Sequence, residues 1–77
     1  MLILLNTIKK VREFVKEANE IEGDIDIHKG RYTIDGKSEL GLFSLPLYEP
    51  IEVEIISSDL EEISKFEKFV KKYKVEE

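Results

Sequence analysis

Cysteine is missing from the chain altogether. That excludes a disulfide framework and any thiolate-ligated metal, so a fold must rest on apolar packing and secondary structure. An excess of basic residues is missing too. Twelve Lys and Arg stand against 17 Asp and Glu, for a net charge of −5. Nucleic-acid binders carry a basic stripe or patch, so this balance argues against a nucleic-acid partner. Long hydrophobic runs are also lacking. The opening "MLILL" has no basic residue before it, and it is shorter than the roughly 7–15 residues of a signal-peptide core or the ~20 of a membrane span. A cytoplasmic protein with no membrane association is expected. Repeats, linkers and low-complexity tracts are absent as well, and 77 residues suit one domain, 1–77. A domain of this size buries only about 60% of its extended-chain surface, so its core is thin. What is present, 42% hydrophobic and 38% charged residues, fits a folded soluble domain rather than a disordered one.

"LILL" (2–5) is too short for a helix and reads as a buried strand. Asn6 or Thr7 caps the next element. Ile8, Val11, Phe14, Val15 and Ala18 recur at helical spacing with charges between them, which predicts an amphipathic helix over 8–20. Gly23 marks the break after it. "DIDIH" (24–28) alternates, placing Ile25 and Ile27 on one face and Asp24, Asp26 and His28 on the other. "KG" (29–30) is a tight turn and "RYTID" (31–35) the returning strand. Ser38 caps a short helix. Pro46 and Pro50 bracket an irregular stretch. "IEVEI" (51–55) is a strand with Ile51, Val53 and Ile55 inward. "SSDLEE" (57–62) holds two overlapping capping boxes, Ser58 with Glu61 and Asp59 with Glu62. The last helix carries Ile63, Phe66, Phe69, Val70 and Tyr73 on its buried stripe. Glu61–Lys65 and Glu67–Lys71 are i,i+4 pairs on its surface.

The order is β-α-β-β-α-β-α, a two-layer α+β domain. A four-stranded sheet has helices on one face, and its other face, with Asp24, Asp26, His28, Arg31, Asp35, Glu52 and Glu54, is open to solvent. On this order and on four stretches in register, the chain resembles HPr, the histidine-containing phosphocarrier of the bacterial sugar phosphotransferase system. "FVKEA" (14–18) is similar to the family's first helix. "KSELGLFSLPL" (37–47) resembles its lysine-serine motif, short middle helix and leucine-rich exit. "IEVEI" and "FEKFV" (66–70) fall at the family's spacing, and the match runs ungapped from about Thr7 to Val70. The resemblance implies the HPr-like open-faced two-layer sandwich with an antiparallel sheet.

It also implies where a site belongs. The family accepts a phosphoryl group on a histidine just before the first helix, with an arginine two residues on. The helix N-terminus and that arginine stabilise the charge. In this register the histidine position holds Thr7, the arginine position Lys9, and the usual proline position Lys10, and the stretch before Thr7 is shorter than the family's. Thr7 has no visible base to activate it, so it reads as a cap. Lys9 and Lys10 in a first helical turn form a candidate anion site, against the plainer alternative of two solvated side chains. Ser38 corresponds to a serine that is phosphorylated for regulation in one branch of the family. Here it stands beside Glu39, which would repel a phosphate, and Ser is a favoured cap on structural grounds alone. Leu40 and Phe43 match exposed positions that dock onto partner proteins, although Glu39 departs from the family's apolar residue. Exposure is expected for both, with Leu42 and Leu45 turned inward.

The lone histidine, His28, sits on the polar face of a hairpin and not at a helix terminus. Metal binding by "DIDIH" is not expected, because alternate strand residues lie about 7 Å apart. An EF-hand fails as well: counted from Asp24, Gly30 is the seventh residue, where the loop needs its glycine sixth. The expectation is a non-catalytic interaction or regulatory module, not an enzyme, with no cofactor and no metal. Its partners would be proteins of the phosphotransferase system or of carbon regulation. The alternatives are a working phosphocarrier with a displaced site and a structural domain that dimerises.

Overall fold

The computed structural model describes residues 1–75. Strand β1 is Leu2–Ile3, helix α1 Ile8–Ala18, strand β2 Asp24–Lys29, strand β3 Tyr32–Asp35, helix α2 Glu39–Phe43, strand β4 Ile51–Ile56 and helix α3 Leu60–Val70. A 3₁₀ turn, Lys71–Tyr73, follows α3. The strands form one antiparallel sheet in the order β1-β4-β2-β3. The four-stranded α+β arrangement expected from the sequence is therefore present.

Alternation decides which face of the sheet is covered. Ile25 and Ile27 on β2, Ile51 and Val53 on β4, and Ile3 on β1 are buried together with Val11, Phe14 and Ala18 of α1 and Phe66, Phe69 and Val70 of α3. Ile55 is partly buried against the same cluster. An aromatic group joins the two long helices: the Phe14 ring lies 5.4 Å from Phe69 and 5.7 Å from Tyr73. Gly36 lets the end of β3 approach the sheet closely, since a Cβ there would meet a methyl of Ile25 at 2.7 Å.

Several local expectations are corrected. β1 is two residues long, because beyond Ile3 the chain turns to the 3₁₀ segment, where Leu4 N–H donates to the Tyr73 carbonyl. α1 ends at Ala18, and the Asn19 side chain then donates to the Val15 carbonyl. Ile8 is not core: it is 60% exposed, ahead of the first full turn that faces the sheet. The hairpin turn is Gly30–Arg31, not Lys29–Gly30, and Gly30 adopts φ +60°, which glycine takes without steric cost. At α3 only Asp59 is the cap, accepting from Glu61 N–H and Glu62 N–H. The Glu62 carboxylate accepts instead from the Glu22 amide, and Lys65 lies 3.7 Å from Glu62.

Tyr73 is buried, and its hydroxyl has no hydrogen-bond partner among the described residues. Burial pushes its pKa from 10.0 to about 12, with Glu17 and Glu13 adding to the rise. The unfolded chain releases this proton near 10 and the folded chain near 12. The contribution to stability is therefore complete below about pH 10 and is lost as pH rises toward 12. Tyr73→Phe removes an unsatisfied buried hydroxyl, so at neutral pH it leaves the denaturation midpoint unchanged or higher. It also weakens the alkaline loss, which urea melts at pH 8 and above pH 10 resolve.

Candidate functional site

Two places hold the candidate residues. The first is where the N-terminus of α1 meets α2. Thr7 has extended backbone angles, φ −137° and ψ 155°, and its Oγ1 accepts from Lys10 N–H at 3.1 Å. It is the cap, and Asn6 serves a different end: its Oδ1 accepts from the Lys10 ammonium at 3.1 Å. Lys9 leans along the helix toward Glu13, 4.0 Å away. The helix N-terminus therefore has its threonine oxygen turned to the backbone and both lysines drawn to neighbouring side chains.

Ser38 caps α2 in the same manner, with Oγ accepting from Gly41 N–H at 3.0 Å. Gly41 is required by packing, because a Cβ there would meet Ile34 at 2.7 Å. Lys37 donates from its ammonium to the Ile21 carbonyl, and so does not point toward Ser38. Glu39 is held by α1: Arg12 Nε donates to its carboxylate at 3.2 Å. Leu40, next along α2, is 86% exposed. Phe43 is a correction, for it is half-buried and packs against the core, while Leu42 is buried and Leu45 partly so. The reason is geometric: a five-residue helix has one inner side, and Phe43 follows Leu42 onto its margin.

One exposed apolar residue was missed by periodicity. Ile8 lies four residues before Arg12, on the same helical side. Arg12 reaches Glu39; Ile8, one turn before Arg12, and Leu40, the residue after Glu39, are both exposed. The apolar character of Ile8 was visible in the sequence, but so was a place for it on the core stripe.

The second place is the open face of the sheet. Cross-strand pairing puts Glu54, Asp26 and Asp35 in one row and Glu52, His28 and Thr33 in the next. His28 Nδ1 is 3.1 Å from Thr33 Oγ1, and its Nε2 is 3.2 Å from Glu54 Oε1. Asp26, His28 and Glu54 each bring one ligand-type atom within 4.8 Å of the others. Spacing along β2 alone had excluded such convergence. The third group comes from β4, and the ring of His28 reaches back across the register. Both strands alternate legibly, but which residues stand opposite one another is set by the pairing.

No protein-family model matches the sequence, and no curated protein matches it. Solved structures do. The phosphocarrier protein HPr of Bacillus anthracis is similar with a TM-score of 0.74 and 25% identity, covering 96% of this chain and 94% of that one. HPr from Thermoanaerobacter tengcongensis gives 0.72 and 16%, over 92% and 89%. Crh of Bacillus subtilis, a catabolite repression protein solved as a domain-swapped dimer, gives 0.67 and 22%, over 96% and 88%. Likeness of this extent gives the chain the HPr-like α+β fold.

Proposed function

We propose that this chain is an HPr-like protein-interaction or regulatory module, one domain over 1–77, in which Thr7 stands where a phosphocarrier has its histidine. It is a non-catalytic, cytoplasmic protein. The observation that carries this is the cap at α1. Thr7 Oγ1 accepts from Lys10 N–H, no carboxylate or imidazole among the described residues hydrogen-bonds to it, and a threonine hydroxyl without a base is a poor nucleophile. The single histidine is on the open face of the sheet, whereas α1 covers the opposite face. Lys9 and Lys10 act as surface side chains turned to Glu13 and Asn6, and Ser38 acts as a cap beside the anchored Glu39.

Interaction then falls to Ile8 and Leu40, the exposed apolar residues one turn before Arg12 and just after Glu39. Their partner is a protein of the phosphotransferase system or of carbon regulation, reached through the α1–α2 surface. Offering the chain a phosphoryl donor tests this. Enzyme I charged from phosphoenolpyruvate leaves it unmodified, while a stoichiometric phosphoprotein would restore the phosphocarrier alternative.

A further inference from the structure

We propose that Asp26, His28 and Glu54 form a binding site for a divalent transition-metal ion on the open face of the sheet, with zinc the ion their donors suit. One atom from each lies within 4.8 Å of the others. Zinc bonds of about 2.0–2.2 Å in tetrahedral geometry set ligand atoms roughly 3.3–3.5 Å apart, so the set must close by little more than ~1 Å. His28 Nε2 and Glu54 Oε1 are already 3.2 Å apart. Asp26 and Glu54 are directly opposite across β2 and β4, and His28 is two residues from Asp26 on the same face. All three side chains project from strands, so a swing of the carboxylates closes the set without moving the backbone. The imidazole is held from both sides, with Nε2 paired to Glu54 and Nδ1 held by a residue outside the set. Its Nδ1 faces Thr33 Oγ1 at 3.1 Å, the outer contact that leaves Nε2 for a metal.

Charge favours the same occupant. Glu54, Asp26 and Asp35 are consecutive across three strands, and like charges placed opposite one another are unfavourable. Among the described residues no Lys or Arg pairs with Asp26 or Asp35. A dication offsets this repulsion. The imidazole selects zinc-like ions over magnesium and calcium, which prefer oxygen donors throughout. Half-exposed ligands leave the remaining positions to water. Because the site joins β2 to β4 and exists only in the folded chain, binding stabilises the fold by mass action.

The experiment uses the full chain without an affinity tag, stripped of metal and labelled with nitrogen-15. The chain has one histidine, so the imidazole resonances report on the site alone. Zinc, added in steps, shifts the Nε2 resonance to a plateau at one equivalent and raises the thermal midpoint, whereas magnesium at equal ionic strength does neither. His28→Gln and Glu54→Gln each weaken zinc binding at least about tenfold by calorimetry. Asp24→Asn, on the same acidic face but outside the set, keeps the affinity. An imidazole that zinc does not shift overturns the proposal. So does equal binding by His28→Gln, or a loss with Asp24→Asn as large as with Glu54→Gln.

Discussion

Phe14→Ala lowers the thermal midpoint by about 15–30 °C. The Phe14 side chain is fully buried between α1, α3 and the sheet, with the rings of Phe69 and Tyr73 at 5.4 and 5.7 Å. Truncating such a phenylalanine costs about 3–5 kcal/mol, transfer and cavity together. A chain of this length has a total stability on the order of 4–12 kcal/mol, and each kilocalorie moves the midpoint of a small domain by roughly 4–8 °C. Few neighbours remain to collapse into the space, since the aromatic group is what joins the two long helices. Circular dichroism at increasing temperature measures this. A shift below about 5 °C would mean that α1 and α3 do not meet through Phe14.

The second large effect separates two residues that look alike in sequence. Phe43→Asp destabilises by about 2–4 kcal/mol, because a half-buried ring packed on the core is replaced by a charged carboxylate. Leu40→Asp leaves the midpoint within about 0.5 kcal/mol of the parent, since Leu40 is 86% exposed. Under the proposed interaction role, Leu40→Asp loses docking onto a partner while the fold persists, which makes it the informative variant. Equal destabilisation by both would place Leu40 in the core, and a harmless Phe43→Asp would free Phe43 from it.

Much of this molecule was legible in the sequence because its signals were local. Strict alternation in "DIDIH" and "IEVEI" fixed the buried face of two strands, and Ile25, Ile27, Ile51 and Val53 lie where it placed them. Helical spacing found Val11, Phe14 and Ala18. Ser38 and Thr7 were readable as caps because a capping side chain bonds within three residues of itself. What failed depended on distant partners. Ile8 fits the apolar period of α1, yet it precedes the part of the helix that meets the sheet. Glu62 was assigned to its own helix, but the Glu22 amide claims it from 40 residues away. The cluster around His28 required the register between β2 and β4, which alternation does not encode.

The same limit explains Phe43 and Glu39. Their neighbours are α1 and the core, not residues of α2 itself. The Arg12–Glu39 pair gives the acid of this otherwise apolar segment a partner on another helix: it ties α2 to α1. Exposed ion pairs contribute little stability, about 0–1 kcal/mol.

Phosphoryl acceptance tests the central claim most directly. The full chain is incubated with enzyme I and phosphoenolpyruvate, beside an HPr as positive control, and intact mass is followed before and after mild acid. The account predicts that HPr gains an acid-labile phosphoryl group while this chain keeps its mass, because the α1 N-terminus offers a capped Thr7 and His28 lies on the far face. A stoichiometric, acid-labile adduct on this chain, lost in His28→Gln, would contradict it and establish a phosphocarrier with a displaced site.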